Sequence, residues 1–335
     1  MIRTVLSLLA LLAGSVLWGQ SVPKNIVVEH FTNTRCGICA NRNPGFYNNL
    51  NSQEGVLHVS IHPSSPYPSC VLHQANPTEN NARTNYHGVF GGTPRLVING
   101  EAIPSGANYG AASIFTPYQN QTTPISMRFW QTKDGNQINV WLSIKAVDTH
   151  STAQAKLFLA AVEKLVNYDA PNGEDEHHDV FRKTFNDAPQ GMTIDLPTTA
   201  GDSIVVEASL LADAGWAMDQ LYALAILNDS DTRAVIQTVA SQPADNTPLV
   251  VTNVGEALET PVSLFPNPVQ DVINIQLPEV EGIVIGQLFD LQGRQLAQRT
   301  WQQHIQWDMS DLPQGTYLLL IAAEGKSAWQ RIVKQ

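Results

Sequence analysis

The fold is decided by a stretch near the start of the chain, Ile26-Val27-Val28-Glu29-His30-Phe31-Thr32-Asn33-Thr34-Arg35-Cys36-Gly37-Ile38-Cys39. Its first part, residues 26–31, is largely apolar and β-branched, which is typical of a short buried strand. Residues 32–35 are polar and form a connecting loop. The pattern therefore predicts a strand that runs through a tight loop into two cysteines separated by two residues.

A helix is expected to begin at the cysteines and to extend to about Leu50. Phe46, Tyr47 and Leu50 recur at helical spacing after them. Pro44 falls inside this segment and bends the helix, because it lacks an N–H and its ring presses on the preceding turn. The two cysteines are thus placed at the N-terminus of a helix.

Cysteines at this spacing lie about one helical turn apart, close enough to form a disulfide. The unpaired N–H groups of a helix N-terminus, and the cationic Arg35 beside it, favour a thiolate on Cys36. Cys36 is therefore the candidate nucleophile. Cys39 lies inside the first turn and is the candidate resolving thiol, which attacks a mixed disulfide and releases the partner.

Later segments extend this pattern. A strand at 56–61 and a polar helical stretch at 77–86 are followed by Gly91-Gly92-Thr93-Pro94-Arg95-Leu96-Val97-Ile98-Asn99-Gly100. The last two of these residues are typical of a hairpin turn. Together with the Cys-x-x-Cys motif, they make residues 21–121 resemble a thioredoxin-like domain.

The resemblance implies roles for further residues. Thr93 and Pro94 correspond to the cis-proline loop of the family, where the residue before the proline pairs its backbone with the substrate protein. The buried acid behind the cysteines corresponds to Glu29 if the loop has one extra residue, and to His30 if it has none. We assign Glu29 as the proton acceptor for Cys39.

Other interpretations of the cysteine pair remain open. Cys36 and Cys39 would form a permanently closed structural disulfide in one, and half of a metal site in the other. A zinc site needs four ligands and the chain has no second Cys-x-x-Cys, so the sequence predicts neither a metal nor a cofactor. Cys70 makes the cysteine count odd and is a candidate additional resolving thiol.

Residues 1–20 are predicted to be a secretory signal peptide. Arg3 supplies the positive start, residues 5–16 are almost wholly apolar, and Gly19-Gln20-Ser21 is a small-residue exit. The apolar run is too short for a membrane span and has no companion later, so we expect no transmembrane span in the mature chain. Export makes disulfide chemistry more natural than cytosolic reduction.

Composition bounds the remaining possibilities. With 335 residues and 43% hydrophobic content, the chain has room for two or three domains with cores of their own. Its net charge is −11, and the acidic excess lies after residue 121. This balance argues against nucleic acid as a partner.

Residues 122–242 are predicted to form an Ig-like or jelly-roll β-sandwich of about seven strands, from short strand patterns separated by turns. This module resembles the C-terminal half of the Omp-twenty-eight-related outer membrane proteins, whose N-terminal half is thioredoxin-like. Within it, Glu174-Asp175-Glu176-His177-His178-Asp179 suggests a metal site. Adjacent histidines point to opposite faces of a strand, so we expect a solvated loop there instead.

A linker at 243–261 precedes a third module at 262–335. The module contains, in order, Phe265-Pro266-Asn267-Pro268, Asp290-Leu291-Gln292-Gly293-Arg294 and Leu312-Pro313-Gln314-Gly315-Thr316-Tyr317. This order closely resembles the C-terminal sorting domain of type IX secretion cargo, a small Ig-like β-sandwich. The resemblance implies recognition by the type IX secretion machinery at the outer membrane.

The sequence thus predicts a multidomain α/β plus all-β protein that is secreted or held at the cell surface. We expect a thiol-disulfide oxidoreductase whose partners are protein thiols and disulfides outside the cytoplasm. The alternative is a non-enzymatic binding or adhesion protein of the outer membrane or cell surface, in which the thioredoxin-like domain is an inert scaffold.

Overall fold

The computed structural model describes residues 21–246, 262–277, 280, 283–291, 294–323 and 326–335. The predicted signal peptide at 1–20 lies outside the described residues. So do most of the predicted linker, at 247–261, and Gly293 of the predicted hairpin turn.

The first region alternates strands and helices as expected from its sequence. Helix α1 contains Pro44, and the strand before it has the predicted bounds. The elements are β1 (Val22–Pro23), β2 (Ile26–Phe31), α1 (Gly37–Asn51), β3 (Val56–Ile61), α2 (Val71–Ala75), α3 (Pro77–Tyr86), β4 (Arg95–Ile98), β5 (Glu101–Ala102) and β6 (Thr122–Thr123).

These elements build one side of a sheet in the order β3-β2-β4-β5. Strands β2 and β3 are parallel, whereas β4 is antiparallel to β2 and pairs with β5 through the predicted turn at Asn99 and Gly100. Helix α1 covers one face, where Phe46 and Leu50 pack on Val28 and Ile98. The β2 to α1 connection therefore lies at one end of the sheet.

The second region is all β. Its elements are β7 (Ile125–Asp134), β8 (Gln137–Ala146), β9 (Gln154–Asn167), β10 (Glu176–Thr184), β11 (Met192–Asp195), β12 (Ser203–Leu211), β13 (Leu221–Asp229) and β14 (Val235–Ala240). Strands β12, β8 and β7 form a three-stranded sheet, and the other strands form the sheet opposite. Apolar side chains of both sheets share one core, which includes Leu142, Leu157 and Leu227. The arrangement is a β-sandwich.

The larger sheet of this sandwich continues into the first region. Nine strands form one sheet in the order β14-β13-β9-β10-β3-β2-β4-β5, with β11 paired to β9. The junction is a parallel contact between β10 and β3, at Val180 and Ser60. One apolar cluster also crosses the junction, from Phe31 on β2 to Phe181 on β10 and Leu224 on β13. The two regions consequently share both a sheet and a core.

The prediction of a solvated loop over 174–179 is wrong from Glu176 onward. Residues 176–184 form β10, which lies between β9 and β3 inside the nine-stranded sheet. The charged and imidazole side chains of this segment suggested an exposed loop. In the structure they are instead paired with buried partners. Asp179, for example, is 5% exposed and lies 2.9 Å from His58. A buried charge is tolerated when it is paired in this way.

The third region forms two facing sheets. Its strands are β15 (Ser263–Phe265), β16 (Val272–Gln276), β17 (Ile283–Phe289), β18 (Gln295–Gln302), β19 (His304–Asp308), β20 (Gly315–Ala323) and β21 (Lys326–Lys334). Asn267 of the Pro-Asn-Pro motif donates to the Arg331 carbonyl at 2.7 Å and accepts from the Val333 N–H at 2.9 Å. The motif thereby ties the start of this region to its last strand.

We predict that Gly100→Ala destabilises the protein. Gly100 has a φ of +91°, and an added Cβ would meet the carbonyl oxygen of Arg233. The substitution should lower the free energy of unfolding by more than about 1 kcal/mol, as expected for a side chain forced into the left-handed region. Urea denaturation measures this loss. Gly106→Ala is the control, since its Cβ would meet nothing within 4 Å; equal midpoints for the two variants would contradict the prediction.

Candidate active site

Cys36 caps the N-terminus of α1. Its backbone is extended, and its Sγ accepts the N–H of Cys39 at 3.2 Å. The same sulfur lies 3.5 Å from the carbonyl oxygen of Thr93. A helix N-terminus presents unpaired N–H groups and the positive end of the helix dipole, so the position stabilises a negative charge on the sulfur. Cys36 is the cysteine of the pair that occupies this position.

Cys39 lies within the first turn of α1 and is fully buried. Burial raises the pKa of its thiol to about 12, and the hydrogen bond with Cys36 acts in the same direction, whereas the hydroxyl groups of Thr93 and Thr32 lower it. The two cysteines are not bridged. The second sulfur is therefore held as a thiol.

The structure brings four of the five predicted site residues together. Cys36, Cys39 and Thr93 are in contact, and Pro94 follows Thr93 through a cis peptide bond. Ile38, between the cysteines, is 61% exposed, whereas Cys36 itself is 3% exposed. Ile38 is thus the exposed side chain between two buried cysteines.

The fifth predicted residue, Glu29, does not join them, and this corrects the assignment of Glu29 as proton acceptor for Cys39. Its carboxylate binds Arg83 at 2.6 and 2.8 Å and His87 at 2.8 Å. Arg83 lies on α3, and His87 directly follows that helix. Successive residues of a strand point to opposite faces of the sheet, and Glu29 lies on the face opposite the one that α1 covers. Burial would raise the pKa of Glu29, but Arg83 and His87 together lower it to about 2.

His30, the next residue, is the one on the α1 face. Its ring packs against Phe46 at 4.8 Å and Tyr47 at 5.8 Å between centroids. This placement matches the alignment without an inserted loop residue. The position behind the cysteines is therefore occupied by a buried imidazole, whose pKa burial holds well below its usual value.

Two residues of the second region reach the motif, and neither was predicted from the sequence. The turn between β9 and β10 places Asn172 at 3.2 Å from the carbonyl oxygen of Cys36. Glu174 of the same turn accepts a hydrogen bond from Asn43 of α1 at 2.7 Å. The acidic run that contains Glu174 was the available signal. Its charge pattern suggested exposure to solvent or a metal site, not a contact with Asn43, which lies 131 residues earlier in the chain.

Cys70 lies close to the motif but is fully buried. The hydroxyl group of Thr34 donates to its Sγ at 3.2 Å, and Leu72 and Val180 pack around it. Its role as an additional resolving thiol stays a prediction. Within the part of the chain that the structure describes, no group of three or more His, Cys, Asp or Glu side chains is arranged to hold a metal ion.

Comparison with known proteins identifies the third region. Residues 263–335 match the family model of the secretion system C-terminal sorting domain. These residues are a type IX sorting domain. The sorting domain indicates that the protein is secreted and attached at the cell surface or outer membrane. No helix among the described residues is long and apolar enough to cross a membrane.

Comparison with solved structures shows a similar overall fold. The chain is similar to HBP35 of Porphyromonas gingivalis, with a TM-score of 0.57 and 16% identity over 93% of this chain and 98% of that one. A domain of the outer membrane lipoprotein Omp28 from the same organism matches with a TM-score of 0.26 and 11% identity, over 36% of this chain and 88% of that one. No curated protein sequence matches the chain. The comparison with HBP35 shows a shared fold.

We predict that Glu29→Gln destabilises the protein without acting at the cysteines. Arg83 would keep its charge in a site where it is fully buried, and an uncompensated buried charge costs about 3 kcal/mol. Because the pKa of Glu29 falls from 4.5 to about 2 on folding, the carboxylate stabilises the protein above pH 4.5, and this stability is lost as the pH falls toward 2. Urea denaturation at neutral pH measures the loss, with the exposed Glu54→Gln as control.

Two fully buried imidazoles predict a second pH dependence. Burial holds the pKa values of His30 and His62 well below 6.5, and the neighbouring His58 and Arg182 act in the same direction. The unfolded chain therefore binds protons below pH 6.5 that the folded chain does not. We expect the free energy of unfolding to fall between pH 8 and pH 5, by up to about 2 kcal/mol for each histidine. A smaller slope in His30→Gln, but not in the exposed His304→Gln, checks the assignment.

Proposed function

We propose that the protein exchanges thiols and disulfides with other proteins outside the cytoplasm. The observation that carries the proposal is the position of Cys36, whose sulfur caps α1 and accepts the N–H of Cys39 at 3.2 Å. Nucleophile and resolving thiol are thus one helical turn apart, and the carbonyl group of Thr93 lies beside them. The strand and helix order from β2 to β5 supports a thioredoxin-like domain for the first region.

The reaction has two steps. The thiolate of Cys36 attacks one sulfur of a substrate disulfide, so that a Cys36–substrate bond forms and the other substrate sulfur leaves as a thiolate. The thiolate of Cys39 then attacks Cys36, which closes the Cys36–Cys39 disulfide and releases the second substrate thiolate. Two electrons pass from the two cysteines to the substrate, and their protons leave through solvent. The reverse sequence oxidises a substrate dithiol.

The backbone of Thr93 is the proposed docking element for the substrate strand. Its carbonyl oxygen lies within 3.5 Å of the attacking sulfur, so a strand paired there would place its own sulfur next to Cys36. Surface attachment through the sorting domain supplies substrates of one kind, namely proteins of the cell surface and its surroundings.

A second candidate is a non-enzymatic binding or adhesion protein. It is favoured by one observation, the burial of both sulfurs, since Cys36 is 3% exposed and Cys39 is fully buried. In that case the first region only presents loops. The two candidates differ in whether a substrate disulfide can reach Cys36.

We predict that Cys36→Ser abolishes reduction of insulin disulfides by the protein, because Cys36 is the cysteine that caps α1 and Cys39 is fully buried behind it. The loss should exceed about a hundredfold, the scale of removing a covalent nucleophile. Cys39→Ala should instead accumulate a mixed disulfide with the substrate, visible by non-reducing electrophoresis. Parental activity in Cys36→Ser would contradict the role of Cys36. No insulin reduction by the parent, together with no trapped partner with Cys39→Ala, would favour the binding protein.

A further inference from the structure

The turn between β9 and β10 contacts the backbone of the cysteine loop directly. The N–H of Asn172 donates to the Thr34 carbonyl at 3.2 Å, and its side-chain amide lies 3.2 Å from the Cys36 carbonyl. The turn is itself closed by a hydrogen bond from the Ala170 N–H to the Glu174 carbonyl at 2.8 Å. A piece of the second region is thereby fixed against the first turn of α1.

Glu174 is the charged group of this contact. One carboxylate oxygen accepts from the Asn43 amide at 2.7 Å, and the other accepts from the Asn172 amide at 2.6 Å. A carboxylate can only accept, so both amides must turn their NH₂ groups toward it. Glu174 therefore fixes the orientation of Asn43, which is 2% exposed and one turn beyond Cys39.

Asn43 in turn forms a hydrogen bond with a hydroxyl group near the cysteines, that of Thr32. Its NH₂ also donates to the Oγ1 atom of Thr32 at 3.0 Å. Since the Thr32 oxygen accepts there, its own hydrogen remains available to donate, and this hydroxyl group lowers the pKa of the Cys39 thiol. A donor at the sulfur stabilises the thiolate.

We propose that Glu174 is a positioning residue for Cys39, acting through Asn43 and Thr32, so that a turn of the second region completes the thiol site. The inference rests on the proposed thiol-disulfide exchange and assigns to it a residue outside the first region. It concerns the second step, in which the Cys39 thiolate attacks the Cys36 sulfur. In that step the bond from Cys36 to the partner breaks, the Cys36–Cys39 bond forms, and the partner sulfur leaves with the electron pair.

The two steps can be timed separately on the full chain. Reduced protein is mixed with dithiobis(nitrobenzoate), a symmetric aromatic disulfide. Attack by Cys36 releases one coloured nitrothiophenolate and leaves a mixed disulfide, and attack by Cys39 releases the other. Stopped-flow absorbance then shows two phases, of which the second reports Cys39.

Glu174→Gln should slow the second phase about tenfold, the effect of losing one hydrogen bond to a charged group, and should leave the first phase unchanged. Glutamine has one oxygen for two donors, so the amide of Asn43 loses its fixed orientation. Asp175→Asn is the matched control: it removes the same charge from an exposed neighbour in the same turn and should leave both phases unchanged.

Thr32→Val tests the same connection from its other end. It removes the hydroxyl group at nearly constant shape and should slow the second phase to a similar extent. Because both residues act through one hydrogen-bond chain, the double variant should be no slower than either single variant. Should Glu174→Gln prove unfolded by circular dichroism, the rate of Thr32→Val decides.

A parental or faster second phase in Glu174→Gln overturns the positioning role. A faster phase is the mark of a through-space charge effect, since a nearby carboxylate opposes thiolate formation. Failure of the proposed function looks different: the first phase would persist in Cys36→Ser. A first phase that depends on Cys36, together with an unchanged second phase in Glu174→Gln, removes only the role of Glu174.

Discussion

The parallel contact between β10 and β3 is the constraint on which the rest of the structure depends. It joins two groups of strands into one nine-stranded sheet and brings the turn before β10 to the cysteines. Polar groups fix its register: the hydroxyl group of Ser60 donates to the His178 carbonyl at 2.9 Å, and Asp179, with a φ of +51°, binds His58 at 2.9 Å. A slip by one residue would bury these groups without partners.

Helix α3 strengthens the same junction from one face of the sheet. Glu79 accepts from the backbone N–H of Thr184 at 2.8 Å, at the end of β10, while Arg83 binds Glu29 on β2. The helix thus connects a strand of each region through buried charges. Such groups add little net stability, but they favour one pairing over its alternatives because any other leaves a charge uncompensated.

Local signals made much of the fold predictable. The strand at 26–31, the helix after Cys36 and the turn at Asn99 and Gly100 each follow from residues adjacent in sequence. Cys36, Cys39 and Thr93 could be placed together from spacing and resemblance. The site was incomplete because its remaining parts depend on contacts between distant segments, such as the turn that carries Glu174.

Glu29 shows a second reason. If the loop before Cys36 has one residue more, the strand register shifts by one and every strand residue moves to the other face of the sheet. The sequence alone does not show at which residue the strand ends and the loop begins. Glu29 and His30 are neighbours, yet they meet different helices. The contact of Glu29 with the Arg83 guanidinium and that of His30 with the Phe46 ring show which of the two residues lies on the α1 face.

The shared sheet also governs the order in which the chain can fold. Ser60 on β3 pairs with Val180 on β10. Most of the first region and a long part of the second lie between these two residues in the sequence. Until that pairing forms, one side of β3 presents unpaired N–H and C=O groups to any strand in reach. Contacts so distant along the chain form slowly, because the intervening loop must be closed first. For a protein that is exported before it functions, a fold completed only by its second half remains unfinished while the first half emerges alone.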